Sequence, residues 1–120
     1  MRILIQSNFP VMIATLCTMP AYIVVNAKIT DPDGLAAYRA AVGPTFDGHP
    51  STMLVSNNEA VSLEGEPHGS RVVIIRFPDR AKAMAWYESP AYQAIIGLRH
   101  ASTEGSVLLV DGVDDQPMTG

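Results

Sequence analysis

Among the three histidines of this chain, His100 is the one whose setting suits proton transfer. It follows a run in which Tyr92, Ile95, Ile96 and Arg99 share one helical face, and it flanks that stripe. An imidazole at such an edge can titrate near neutrality and serve as a general acid or base. The competing reading is a partly exposed helix-end histidine, stabilised by the negative end of the helix dipole. His49 and His68 stand in Gly- and Pro-rich loops, where exposure without function is the expectation. No histidine has a second ligand three or four residues away, so no metal is expected.

Tyr38 and Tyr92 are candidates to bind a substrate, their hydroxyls supplying the few polar groups of an otherwise apolar pocket. Trp86 and Tyr87 are better suited to filling core. Asn26 and Arg76 interrupt apolar strand faces and complete the set of substrate-binding candidates. They are either a polar node at a dimer interface or an anchor for a ligand carboxylate or enolate. A charge in a sheet interior is costly without a partner, so the two are expected to approach across neighbouring strands. The chain has no Ser-His-Asp set, phosphate loop, dinucleotide fingerprint or paired carboxylates. No cofactor is expected.

The elements that must position these groups follow from periodicity. Ala21 to Ile29 alternates with apolar residues on both faces, a strand with neither side fully solvated. Asp31 and Pro32 read as cap and first turn of a helix whose stripe is Leu35, Tyr38, Val42 and Phe46. Gly43-Pro44 weakens its last turn. Thr52 to Ser56 and Ala60 to Glu64 are two short strands, or one strand interrupted by a turn or bulge at Asn57-Asn58. Glu64 to Gly69 is a loop, and Val72 to Phe77 a buried strand ended by Pro78. Asp79 caps a helix carrying Ala83, Met84, Trp86 and Tyr87. Ser89-Pro90 stops it and starts another. Gly105 breaks the chain before a last strand, Val107 to Val110.

Strand, helix, strand, strand, broken helix, strand is the order of a ferredoxin-like βαββαβ sandwich, an α+β fold. Helices then cover one sheet face. The other would expose Tyr22, Val24, Val72 and Ile74, with Asn26 and Arg76 among them. An apolar patch of that kind is a contact surface, and the economical cover is a second copy of the chain.

Bulk composition bounds the rest. The 120 residues suffice for one domain with a real core, and 48% hydrophobic with 17% charged residues argues against disorder. A net charge of −4, with no cluster among the eight Lys and Arg, gives no footprint for nucleic acid. The single cysteine, Cys17, excludes an intrachain disulfide and agrees with a reducing, cytoplasmic setting. Residues 1–18 hold two short apolar runs split by Gln6, Ser7 and Asn8, too broken for a membrane span and without a good signal-peptide centre. They read as a dispensable extension before a domain at 19–113. Residues 114–120 read as an acidic tail.

"WYESPAYQ" at Trp86 to Gln93, the preceding "RFPD", "LEG" at Leu63 to Gly65, and the closing "LLVDGV" resemble a small bacterial family, domain of unknown function 1330. "AYIVVNAKITDPDGLAAY" resembles the opening strand and helix of that family. The resemblance covers about residues 19 to 113. It implies membership of the dimeric α+β barrel superfamily, hence a homodimer whose two sheets form a barrel. That superfamily includes cofactor-independent monooxygenases, muconolactone-type isomerases, haem-degrading enzymes and proteins without known activity, and kinship at that level carries no activity over. One departure stands out. Where the family's second strand leads one to expect "GGRYLVRGG", Thr52 and Ser56 replace both arginines. An anionic ligand held by those arginines in other members would here be lost or held elsewhere.

Three functions compete: a cofactor-independent isomerase or monooxygenase, a dimeric protein that binds a metabolite unchanged, and a structural dimer with a filled core. A cavity of at least about 300 Å³ between sheet and helices, lined by His100 and the tyrosines, would favour the first two.

Overall fold

A computed structural model describes residues 19–113, so the expectations for residues 1–18 and 114–120 lie outside the described residues. In chain order the elements are β1 (Ala21–Ile29), α1 (Pro32–Val42), a 3₁₀ turn (Gly43–Phe46), β2 (Thr52–Asn57) and β3 (Arg71–Phe77). Then come α2 (Arg80–Tyr87), α3 (Pro90–Gln93), α4 (Ile96–Ser102) and β4 (Thr103–Asp111). The strands form one antiparallel sheet in the order β2-β3-β1-β4. This is the ferredoxin-like α+β arrangement, with the second helix broken into three pieces.

Alternation sets which residues face the helices. In β3, Arg71, Val73, Ile75 and Phe77 are buried, whereas Val72, Ile74 and Arg76 are half-buried on the other face. Ile23, Val73, Ile75 and Phe77 from the sheet meet Ala83, Trp86 and Tyr92 from the helices to form the core. Two starts in the helical layer are capped by side chains: Asp79 accepts from Lys82 N at 2.8 Å, and Ser89 Oγ from Tyr92 N at 3.2 Å. Asp31 occupies the cap position of α1 without a side-chain bond. Its N–H instead donates to Ser102 O at 3.2 Å, beside Thr30 N at 2.8 Å, tying α1 to the end of α4. At Gly43-Pro44 the α-helix gives way to the 3₁₀ turn, because proline lacks the N–H that the next helical bond needs.

Three boundary expectations are corrected. Ala60 to Glu64 is irregular loop, and the shift in strand pairing falls between Met53 and Val55 rather than at Asn57-Asn58. The asparagines are occupied otherwise: Asn57 Oδ1 accepts from Glu59 N at 2.7 Å, and Asn58 Oδ1 from Arg71. Gly105 lies inside β4 opposite Ala27, not before the strand. A Cβ there would collide with the backbone of Asn26 and Ala27, so glycine lets the two strands approach. β3 also begins one residue early, at Arg71.

The face away from the helices carries an apolar row across all four strands, Val55–Ile74–Val24–Leu108 in register. Leu108 is 55% exposed. Asn26 and Arg76 share this face but do not meet. Asn26 pairs with Val72 and Arg76 with Tyr22, four positions along β3, or about 13 Å apart. Among the described residues no helix is long and apolar enough to cross a membrane.

Candidate functional site

Between the sheet and the helices lies a cavity of about 310 Å³. Its floor is the inward face of the strands, with Ile23, Val25, Val73 and Ile75; Phe46, Trp86 and Tyr87 form an aromatic wall. Tyr38 from α1 and Tyr92 from α3 enter from the helical layer. This void matches the size expected of a small-molecule site.

The aromatic wall is built around Trp86, which is 2% exposed. Its ring stacks on Phe46 at a centroid distance of 4.7 Å and lies 4.2 Å from Tyr92. Its Nε1 donates to Thr45 Oγ1 at 3.0 Å, and the Thr45 hydroxyl donates to Val42 O at 2.6 Å. The Pro44-Thr45 turn thus fixes the indole, and the indole positions Tyr92.

The two tyrosines meet. Their hydroxyls are 2.9 Å apart, with the rings edge-to-face at 6.4 Å. Arg99 Nε donates to Tyr92 Oη at 3.2 Å. A pair of phenols has two protons and spends one between its members, so one O–H remains to donate elsewhere. Burial pushes the Tyr38 phenol well above its ordinary range; the nearness and hydrogen bond of Tyr92 add to this, against a lowering by Arg99 and Arg71. Tyr38 is therefore neutral at physiological pH, and one of the two phenols keeps an O–H to donate.

The other expected residues stand elsewhere. His100 is exposed and absent from the cavity's lining, its Nε2 lying 3.3 Å from Arg99 Nη2. Adjacent residues on a helix point about 100° apart, and it is Arg99 that turns inward. Asn26 points to the opposite face. Its Nδ2 donates to Gly69 O and Arg71 O at 2.9 and 3.2 Å, and its Oδ1 accepts from His68 N at 3.0 Å. It braces the loop before β3. Arg76 shares that outward face. Neither reaches the cavity, because both stand one strand residue out of phase with it.

Three arginines outside the expected set also line the cavity: Arg71, just before the strand expected at Val72 to Phe77, Arg99 on the last helical stripe, and Arg39 on α1. The signal for Arg71 was its period-two relation to Val73 and Ile75. Of the positions where the family pattern led one to expect arginine, Ser56 lines the cavity and Thr52 pairs with Arg76 on the open face.

The chain belongs to the family described as a domain of unknown function (DUF1330), whose model matches residues 20–113. No curated protein matches it. Among solved structures it is similar to a protein of unknown function from Rhodopseudomonas palustris, with a TM-score of 0.64 and 18% identity over 81% of this chain and 85% of that one. It is also similar to SnoaB, a cofactor-independent oxygenase from Streptomyces nogalater, with a TM-score of 0.58 and 15% identity over 83% and 99% of the two chains. HapK from Hahella chejuensis gives a TM-score of 0.53 and 18% identity, again over 83% and 99%. At these identities the likeness is one of fold.

Proposed function

We propose that this protein binds a small, flat metabolite between its sheet and helices and stabilises an enolate or other oxyanion of it, without a bound cofactor. Isomerase-type or monooxygenase-type chemistry is the outcome, with dioxygen as co-substrate in the second case. The observation that carries this reading is the Tyr38–Tyr92–Arg99 network on the wall of an apolar cavity. A ligand carbonyl would accept the remaining phenolic proton. Negative charge developing on that oxygen would be stabilised by fixed donors in a site of low dielectric. The likeness in fold to a cofactor-independent oxygenase is compatible with this. His100, exposed and outside the lining, has no part in this reading, and the phenols act as hydrogen-bond donors rather than as a base.

A second reading is a binding or accessory protein that leaves its ligand unchanged. It is favoured by the described lining, which contains no His, Asp, Glu, Cys or Lys to remove a proton near neutral pH. In both readings the working unit is a homodimer joined through the Val55–Ile74–Val24–Leu108 face, in the cytoplasm, with no nucleic-acid or membrane partner.

Purified protein incubated with a metabolite extract, with and without air, tests these readings by mass spectrometry. A consumed compound supports catalysis, and Tyr38→Phe should then slow its turnover by about 10²-fold or more. A compound retained unchanged supports binding alone. Neither retention nor consumption would refute the cavity as a ligand site.

A further inference from the structure

Arg71 places a cation where the cavity offers it no counter-charge. The residue is 6% exposed, and its side chain lines the cavity beside β1 and α1. Nη1 donates to Asn58 Oδ1 at 2.6 Å, a neutral acceptor. A guanidinium carries five N–H donors. Among the described residues Asn58 is the one hydrogen-bonding side chain that Arg71 engages, and no described carboxylate forms an ion pair with it. Arg39 and Arg99 line the same space, and the lining includes no Asp or Glu. Burial lowers the pKa of Arg71 from its ordinary value and the like charge of Arg39 lowers it further, against a smaller raising by Tyr38, as for a cation short of compensation.

The charged groups at the cavity are thus all cations, three guanidiniums, with the hydroxyls of Tyr38, Tyr87, Tyr92, Ser56 and Thr103 beside them. A ligand matching them must bring acceptors and negative charge. The sheet floor and the stacked Phe46 and Trp86 ask for a flat apolar body.

We infer that the ligand of this cavity is a small organic carboxylate with a planar apolar body, its carboxylate seated on Arg71 and Arg39 and its ring against the Phe46–Trp86 wall. The inference rests on the cavity being a ligand site, as proposed above, and adds the chemical class. It also returns an anion site to a chain that lacks both second-strand arginines, through residues on β3 and α1.

Isothermal titration of the full chain with 2-naphthoate and with its neutral isostere 2-naphthamide separates the two claims. A charge-assisted pairing in a largely desolvated site makes the carboxylate bind at least about tenfold more tightly. Arg71→Gln should abolish that preference and leave amide affinity within about twofold. Equal affinity of the parent protein for both probes would overturn the carboxylate assignment and leave the cavity as a ligand site. A preference that survives in folded Arg71→Gln would remove Arg71 as the seat. Failure of both probes to bind would overturn the assignment together with the cavity reading. The parent comparison needs no variant, and Arg39→Gln, at an exposed α1 position, should reduce the preference by about threefold if Arg71→Gln does not fold.

Discussion

Replacing Thr45 by Val keeps the side chain's shape and removes one oxygen. That oxygen accepts from Trp86 Nε1 at 3.0 Å and donates to Val42 O at 2.6 Å. Thr45 is 5% exposed and Trp86 2%, so water does not readily replace the lost acceptor. An orphaned buried donor costs about 1–3 kcal/mol, far more than the methyl gained returns in new contacts. In a domain of this size each kcal/mol moves the melting temperature by about 4–8 °C, so Thr45→Val should melt roughly 10 °C below the parent. Trp86 is the chain's one tryptophan, and intrinsic fluorescence therefore follows the unfolding of this site directly. Measurements belong at one fixed protein concentration, since association makes melting concentration-dependent. Thr45→Ser keeps the hydroxyl and should lose about 1 kcal/mol or less, the worth of a methyl group. Because the indole lies 4.2 Å from the Tyr92 ring, Thr45→Val should also loosen the tyrosine wall and weaken any ligand bound there. A Thr45→Val protein melting within about 2 °C of the parent would refute the view that this turn clamps the aromatic wall.

Val24→Asp puts a carboxylate in the middle of the apolar row on the open face, where it pairs with Ile74 and Leu108; light scattering should show the parent as a dimer and the variant as a monomer, and a monomeric parent at micromolar concentration would end the dimer reading. Alkaline stability tests the buried phenol: Tyr38 stays protonated in the folded chain above the pH, about 10, at which the unfolded chain releases that proton. Stability is therefore whole below that range and falls as pH rises through it, and urea midpoints should fall more steeply in the parent than in Tyr38→Phe; parallel curves would contradict this. Asn26→Ala removes three hydrogen bonds from the loop before β3 and should speed amide exchange around His68 to Arg71 without touching the cavity lining; unchanged exchange would show that the loop holds itself.

Much of the architecture could be read from local chemistry. The alternation at Ala21 to Ile29 gave β1 with its observed ends, since pleating sends successive side chains to opposite faces whatever surrounds them. Asp79 and Ser89 marked helix starts because a side-chain oxygen answers N–H groups within the same turn. The exposed apolar row on the sheet likewise followed from a helical layer that covers one face. The bulge beside Leu54 carried no such local mark, because it depends on how β2 aligns with β3. Gly105 misled for a related reason: glycine in sequence reads as a breaker, and only the closeness of β1 shows why it stands within a strand.

The site divides along the same line. Sequence determined that Tyr38 and Tyr92 lie on apolar helical stripes, and so that their hydroxyls enter the space over the sheet. Tertiary structure decided that those hydroxyls meet, that Arg99 rather than His100 turns toward them, and that Arg71 closes the floor. It also set Asn26 and Arg76, which alternation already puts on the open face, about 13 Å apart along the strands rather than side by side. Periodicity gives the face of one element but leaves open how far that element slides or turns against its neighbours. A shift of one residue moves a strand side chain to the opposite face and turns a helix side chain by about 100°, enough to exchange the residue that enters a cavity for the one that faces water.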